Sequence, residues 1–545
     1  MQQAPWWRGA VIYQVYPRSL QDTNNDGIGD LPGIINKLDY IASLYVDAIW
    51  ISPFFKSPMK DFGYDISDYR AVDSIFGSLS DFDVLIEQAH SRGIKIIIDQ
   101  VLSHTSDQHK WFTQSRATKD NEKSDWYVWA DANSDGTPPN NWLSIFGGSA
   151  WEWEPRRRQY YLHNFLKSQP DLNYHCESVR KQILQEVEFW LERGVDGLRL
   201  DAINFCFHDK ELRNNPSKPV AERKGRGFSE DNPYAFQRHI YDNTRPENLE
   251  FLTCLRGLMN RFPGSVTLGE ISSEDSLKTM AEYTDGNSRL HMAYSFELLV
   301  ENLSASYIRE TIEILGKSLG EGWPCWSIGN HDVVRVMSRW GGKNMPPELA
   351  KMLNKLLLSL RGSVCTYQGE ELGLTEAVIA QHQLQDPYGI AFWPEFKGRD
   401  GCRTPMPWNS KEKNAGFSPV ATWLPVAPEH LPLAVDIQET DKNSVLNSYR
   451  KFMLWRKNQP ALLWGGIEFL PAPDSVLMFK RRYQEHSIIA AFNFSEKPAN
   501  VDFKESDSIY SLIDMNDEIK CLCQKQISLE PYGAIFAVLS VEKNR

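Results

Sequence analysis

Three acidic residues stand at the ends of short apolar runs in this chain: Asp201 in Gly-Leu-Arg-Leu-Asp-Ala, Glu270 in Leu-Gly-Glu, and Asp332 in Gly-Asn-His-Asp. Short apolar runs read as buried strands, so each acid is expected at a strand's carboxyl end, where α/β folds collect their reactive groups. Three carboxylates so placed suit glycosidic-bond chemistry. One can attack or stabilise an oxocarbenium-like centre, a second can protonate the departing oxygen, and a third can hold the sugar. Arg199 precedes Asp201 by two positions, which on a strand puts both side chains on one face, where the guanidinium can keep the carboxylate ionised and oriented. Glu270 is followed by Ile271, and apolar surroundings raise a carboxyl group's affinity for its proton, as a general acid requires.

Positioning these acids calls for strands and helices in regular alternation, and the hydrophobic pattern contains one. Strand-like runs fall at 11–16, 48–53, 94–101, 197–203, 265–270, 293–297, 326–332 and 363–368, with helical spacing at 31–44, 82–92 and 178–193. Eight βα units argue for a closed parallel (β/α)8 TIM barrel of the α/β class over an open sheet. The barrel is expected over 1–103 and 170–465. Between its third and fourth units lies a loop-rich insertion at 104–169, abundant in Trp, Asn, Gly and Pro, as a lid or specificity wall at the carboxyl face would be. A second polar loop at 208–232 is expected to rim the same face. From 466 to 545 the pattern changes to short alternating strands, which predicts a C-terminal antiparallel, β-sandwich-like domain.

The bulk composition narrows the classes of partner. A chain of 545 residues with 41% hydrophobic and 24% charged content reads as folded globular protein, and its formal net charge of -12 gives no attraction for nucleic acid or an anionic membrane. Neutral small molecules suit it better. The opening Met-Gln-Gln-Ala-Pro-Trp-Trp-Arg carries no basic segment followed by an apolar stretch, and no long apolar run follows elsewhere, so a cytoplasmic protein is expected. The eight cysteines lack paired zinc-site spacing and read as buried thiols; Cys521-Leu-Cys523 is the one pair whose spacing also admits a redox or metal role.

These motifs, in this order, resemble the α-amylase superfamily of glycoside hydrolases (family 13), and within it the α-glucosidase and oligo-1,6-glucosidase branch. The resemblance runs from Val-Ile-Tyr-Gln-Val-Tyr-Pro-Arg-Ser, beginning at Val11, to the final β domain. It implies Asp201 as the nucleophile with Arg199 as its partner, Glu270 as general acid/base, and Asp332 as the acid that grips sugar hydroxyls. It implies His104 and His331 as hydrogen-bonding the same sugar, Asp61 and Tyr64 as the acid and stacking aromatic of the glucose pocket, and Arg399 as closing that pocket with Asp61. Phe146, Phe165 and Phe296 are implied around the substrate. A pocket closed at one end admits only the terminal residue of a chain, hence exo action on short α-glucosides. The usual Asn before His104 is replaced by Ser103, which removes a familiar hydrogen-bonding support there.

Two further motifs carry finer expectations. In Asp22-Thr-Asn24-Asn-Asp26-Gly-Ile28-Gly-Asp30, oxygen ligands alternate as in a Ca²⁺ loop, although Gly33 stands where an EF-hand has its bidentate Glu. The resemblance implies a structural Ca²⁺ or Mg²⁺ held by Asp22, Asn24, Asp26, the Ile28 carbonyl and Asp30, with no organic cofactor. Gln169-Pro-Asp-Leu-Asn173 resembles the oligo-1,6-glucosidase form, whereas Ala202, where α-1,6 enzymes carry Val, tilts the expectation to α-1,4 linkages. Because a covalent glucosyl intermediate can be taken by water or by another hydroxyl, transfer to hydroxyl acceptors is expected beside hydrolysis, in a monomer or homodimer. Sucrose isomerases and trehalose-forming mutases share the fold, but the Arg-rich loop of the isomerases is absent before Arg399. Catalytically dead, membrane-anchored relatives commonly lose acids that are all present here.

Overall fold

The eight barrel strands are β1 (Val11–Val15), β2 (Ala48–Ile51), β3 (Lys95–Val101), β4 (Gly197–Asp201), β5 (Val266–Ile271), β6 (Met292–Ser295), β7 (Cys325–Trp326) and β8 (Ser363–Tyr367). In the computed structural model, which describes residues 4–223, 232–341, 345–502, 509–513, 519–520 and 526–539, they form one sheet in the order β6-β5-β4-β3-β2-β1-β8-β7. A parallel bridge from Ala293 to Pro324 brings β6 onto the start of β7 and closes the barrel. Strand alternation divides the core in two. Ile12, Trp50, Ile97, Leu268 and Tyr294 fill the barrel's interior, while Val11, Tyr13, Ile49 and Ile51 face outward into the helical layer.

The helices follow from their sequence pattern and caps. Leu79–Ser91 starts at Ser78, whose hydroxyl accepts from the Asp81 N–H while the Asp81 carboxylate accepts from the Ser78 N–H, a reciprocal cap. Glu177–Glu192 buries Val179, Ile183, Val187 and Trp190, an i, i+4, i+8, i+11 stripe. The single helix expected over 31–44 is two, Leu31–Asn36 and Leu38–Ser43, broken at Lys37.

The seventh strand also differs from expectation. It stops at Trp326, so Asp332 lies on a loop rather than at a strand end. Polar turn-formers compete with the ladder here: the Ser327 hydroxyl donates to the Gly329 carbonyl, and the Asn330 side chain accepts from the Asp332 N–H at 2.8 Å.

The insertion has more order than its composition suggests. A helix at Lys110–Ser115 precedes a three-stranded antiparallel sheet of Trp129–Ala130, Gln159–Leu162 and Trp151–Glu154, cored by the stacked rings of Trp142 and Trp151. The C-terminal region is antiparallel: a six-stranded sheet including Val476–Tyr483 and His486–Asn493, and a two-stranded one of Ala499–Asp502 and Gln526–Leu529. The fully buried Arg481 ties it to the barrel by donating to the carbonyls of Ser359, Leu462 and Gly465.

Cys176, Cys206, Cys254, Cys325, Cys365 and Cys402 are free thiols; Cys521 and Cys523 lie outside the described residues. Among the described residues no helix is long and apolar enough to cross a membrane.

Candidate active site

Parallel register explains how the acids meet. Asp99 on β3 stands beside Arg199 on β4, and Glu270 on β5 beside Tyr294 on β6; the two-residue period then carries Asp201 to the same face as Arg199. Arg199 has no solvent exposure, and its guanidinium serves three carboxylates: Nη1 lies 2.9 Å from Asp99 Oδ1 and 2.7 Å from Asp201 Oδ1, and Nη2 lies 2.7 Å from Glu270 Oε1. The Tyr294 hydroxyl accepts from Arg199 Nη2 at 2.8 Å and donates to Glu270 Oε1 at 3.1 Å. The Trp50 ring lies beneath the guanidinium.

Burial sets the acids' proton affinities. It pushes Glu270 up to about 7, against the pull of Arg199, and raises Asp201 in the same way, with Asp99 adding to the rise. Asp332 goes the other way: burial opposes its charge, but His331, Arg399 and Arg403 outweigh that and hold it well below the usual carboxylate range. One acid is thus kept ionised, and two others exchange protons near neutrality. From this pair a bell-shaped pH profile is expected for kcat/KM on maltose, rising as the first proton leaves the Asp201–Glu270 pair and falling as the second leaves. A flat profile between pH 5 and 9, roughly two units either side of the pair, would contradict the assignment.

The pocket wall also carries a cluster of ion pairs. Arg399 Nη2 donates to Asp61 Oδ1 at 3.0 Å and to Asp386 Oδ1 at 2.8 Å, and Nη1 donates to Asp332 Oδ1 at 3.1 Å. Arg403 Nη2 reaches the same Asp332 oxygen at 2.8 Å. Asp61, raised to about 6 by burial, also accepts from Gln169 Nε2 at 3.1 Å. The Arg399 guanidinium lies over Phe146.

Asp201, Glu270, Asp332, Asp61, Tyr64 and Arg399 all line this one pocket, as do His104, Phe146, Phe165, Ala202 and Phe296. His331 does not. It has no exposed side-chain surface: Nδ1 is 2.7 Å from Gln14 Nε2, Nε2 is 2.5 Å from the Tyr64 hydroxyl, and its ring stacks behind Tyr64. It stands behind Tyr64 and beside Asp332, whose Oδ2 lies 3.2 Å from Nε2. Arg199 likewise stands behind the acids, away from the pocket wall.

His104 keeps its support despite the Ser103 replacement. The Ser103 hydroxyl is 3.0 Å from Nδ1, and Nε2 lies 3.2 Å from both the Tyr64 carbonyl and Gln169 Nε2. Burial lowers His104 to about 3, leaving it neutral.

Ala202 adopts φ 40 and ψ 44, left-handed backbone that costs a residue with a Cβ about 1–2 kcal/mol. The turn aims its N–H at Glu270 Oε2, 3.1 Å away. Asp386, Arg403 and Tyr294 were not singled out in the sequence. Arg403 stands four positions after Arg399 in the same Gly-Arg-Asp-Gly-Cys-Arg motif, which was a usable signal; Asp386 and Tyr294 carry none.

On the Asp22–Asp30 loop, Asp22, Asn24, Asp26 and Asp30 accept from backbone N–H groups, Asp22 Oδ1 from Asn24 and Asn25 and Asp30 Oδ1 from Gly33, while Asp22 Oδ2 accepts from the Gly27 N–H and the Ser418 hydroxyl. Among the described residues no three His, Cys, Asp or Glu side chains converge on a metal position.

A buried guanidinium between two carboxyls that burial raises, beside a pocket walled by ion pairs, suits a glycoside hydrolase. Residues 14–465 match the family described as alpha amylase, catalytic domain, and the chain belongs to the α-glucosidase branch of that family. It is 52% identical to a probable alpha-glucosidase of Rhizobium meliloti (strain 1021), covering 98% of this chain and 97% of that protein. It is 36% identical to the oligo-1,6-glucosidase of Parageobacillus thermoglucosidasius, covering 97% and 98%. Among crystal structures, the alpha-glucosyl transfer enzyme XgtA superposes with a TM-score of 0.96 at 60% identity, covering 99% and 100%.

Proposed function

We propose that the protein is a retaining exo-α-glucosidase, acting in the cytoplasm on terminal α-1,4-linked glucose of short oligosaccharides such as maltose, and passing glucosyl groups to hydroxyl acceptors as well as to water. The observation that carries this reading is the Arg399 bridge between Asp61, Asp332 and Asp386. With that bridge across one end of the pocket, a glucose unit would enter only as a chain terminus.

In the first step Asp201 attacks the anomeric carbon while Glu270 gives its proton to the departing oxygen. In the second, the Glu270 carboxylate takes a proton from water or from an acceptor hydroxyl, whose oxygen displaces Asp201. Arg199 holds both carboxylates and neutralises the charge they exchange. Asp332, ionised throughout, suits bidentate hydrogen bonding to ring hydroxyls. The 60% identity to an enzyme named for glucosyl transfer supports the transfer branch.

The linkage reading rests on Ala202. Maltose is expected to be cleaved faster than isomaltose; the reverse ranking would refute it. Ala202→Val is expected to move the maltose-to-isomaltose ratio of kcat/KM toward isomaltose by about tenfold, since one branched methyl pair is worth 1–3 kcal/mol of discrimination. It should also lower stability, because a β-branched residue is strained in left-handed backbone.

The donors on the Asp22 loop are all hard oxygens, the chemistry that suits Ca²⁺ or Mg²⁺. Asp22, Asn24, Asp26, Asp30 and the Ile28 carbonyl would hold the ion, which would brace the loop and supply no chemistry to the sugar. Chelation is expected to lower the melting temperature of the protein and leave kcat near its starting value at 25 °C. An unchanged melting temperature after exhaustive chelation would count against a bound ion.

A further inference from the structure

Two walls of the active pocket come from parts of the chain that lie far apart in sequence. Ile145 and Phe146 belong to the 104–169 insertion, and Tyr388 lies on the helix Pro387–Phe392, in the segment that carries Arg399. Rings fill the space between the walls. Phe146 and Tyr388 meet edge to face at 5.2 Å, and a Cβ added at Gly147 would stand 2.9 Å from Phe392 Cζ. Among the described residues no hydrogen bond runs directly between 143–149 and 386–399. Dispersion contacts between rings fix a spacing less sharply than a hydrogen bond does.

Asn232 supplies the missing polar tie. Its side chain is fully buried, and Nδ2 donates to the Ile145 carbonyl at 2.6 Å and to the Tyr388 hydroxyl at 2.9 Å, partners 87 and 156 positions away. Oδ1 accepts from the Tyr234 N–H at 3.0 Å, capping the short helix Pro233–Phe236. These partners assign the two ends of the amide: a backbone N–H only donates and a carbonyl only accepts, so the oxygen faces Tyr234 and the nitrogen faces Ile145. The amide cannot turn over without losing both. Asn232 itself does not line the pocket.

We infer that Asn232 is a positioning residue for sugar binding, which clasps the Ile145–Phe146 wall to Tyr388 and so sets the width of the pocket beside Arg399. Phe146 passes the constraint on, because the Arg399 guanidinium lies over its ring. The inference rests on the glucosidase reading above and adds to it a residue that acts without touching the sugar. A wall that meets non-reacting parts of the sugar binds ground state and transition state alike, so loosening it should appear in KM rather than in kcat.

Asn232→Ser separates the clasp from the cap, since a serine oxygen still caps the Tyr234 N–H but carries no amide to span Ile145 and Tyr388. It is expected to raise KM for maltose about fivefold to tenfold and to leave kcat within about twofold, the size of effect of one or two hydrogen bonds. A role confined to the helix cap predicts wild-type KM in this variant, and partial unfolding predicts a smaller active fraction at unchanged KM. Tyr388→Phe, which keeps the ring, should raise KM about twofold to threefold in the wild type, and by less in the Asn232→Ser background, where the bond is already gone. Wild-type KM in Asn232→Ser, or in Tyr388→Phe should Asn232→Ser fail to fold, would overturn the inference, as would full additivity in the double variant; each leaves the glucosidase reading intact. Wild-type protein inert on maltose would overturn that reading and the inference together.

Discussion

Asp201→Asn is expected to cost about 10⁴-fold or more in kcat on both maltose and p-nitrophenyl α-glucoside, because an amide cannot form the covalent intermediate. Glu270→Gln should behave differently, and the difference separates the two roles. On maltose, whose leaving oxygen needs a proton, the loss is expected at about 10²–10⁴-fold. On p-nitrophenyl α-glucoside the first step needs no acid, so the residual defect lies in the second step, where water has lost its base. Azide needs no base and should restore turnover of that substrate in Glu270→Gln, yielding α-glucosyl azide, while leaving Asp201→Asn inert. Both variants should keep the wild-type circular dichroism spectrum, since each exchanges a carboxyl for an amide of the same shape. Wild-type turnover by either one would falsify the site assignment.

Arg199→Met is expected to weaken the fold by about 3–5 kcal/mol near neutral pH and to lower kcat/KM by about 10²–10³-fold. The buried guanidinium is the shared partner of Asp99, Asp201 and Glu270, and removing it strands three carboxyls in the barrel mouth. The pH dependence of the destabilisation carries a sign. Burial raises Asp99 to about 6 and Glu270 to about 7, above the values of an unfolded chain near 4. Groups raised in this way contribute stability that is fully present below the unfolded value and is lost as pH rises through the folded one. Without Arg199 they rise further, so the gap between variant and wild type should be small near pH 4 and widen through neutrality. Urea unfolding at several pH values measures it. A gap constant with pH would mean that Arg199 acts through packing alone.

The barrel was legible because its signals are local. Apolar runs ending in Asp201 and Glu270 are strands in the structure, and Arg199 shares the face of Asp201 because strand side chains repeat every two residues. Locality also explains the misses. The run toward Asp332 contains Ser327, Gly329 and Asn330, whose side chains and turns capture the backbone, so an acid read at a strand end sits on a loop. The 31–44 pattern is helical throughout, yet the helix breaks at Lys37, and periodicity carries no mark of that break.

Side-chain identity and spacing settled which groups could do chemistry: three acids, an arginine two positions before one of them, and a strand and helix rhythm long enough to close a barrel. Tertiary structure decided how they are shared and charged. Gln14 meets His331 across 317 positions and Asp61 meets Arg399 across 338, distances over which no periodicity speaks. Closure of the barrel set His331 behind Tyr64, and brought Asp386, Arg403 and Tyr294 to the site. Burial raised Asp201 and Glu270 while His331, Arg399 and Arg403 lowered Asp332, three carboxyls that are alike in an unfolded chain. The physical reason is that strand period and turn chemistry act between near neighbours, whereas desolvation and charge pairing exist only once distant segments exclude water together.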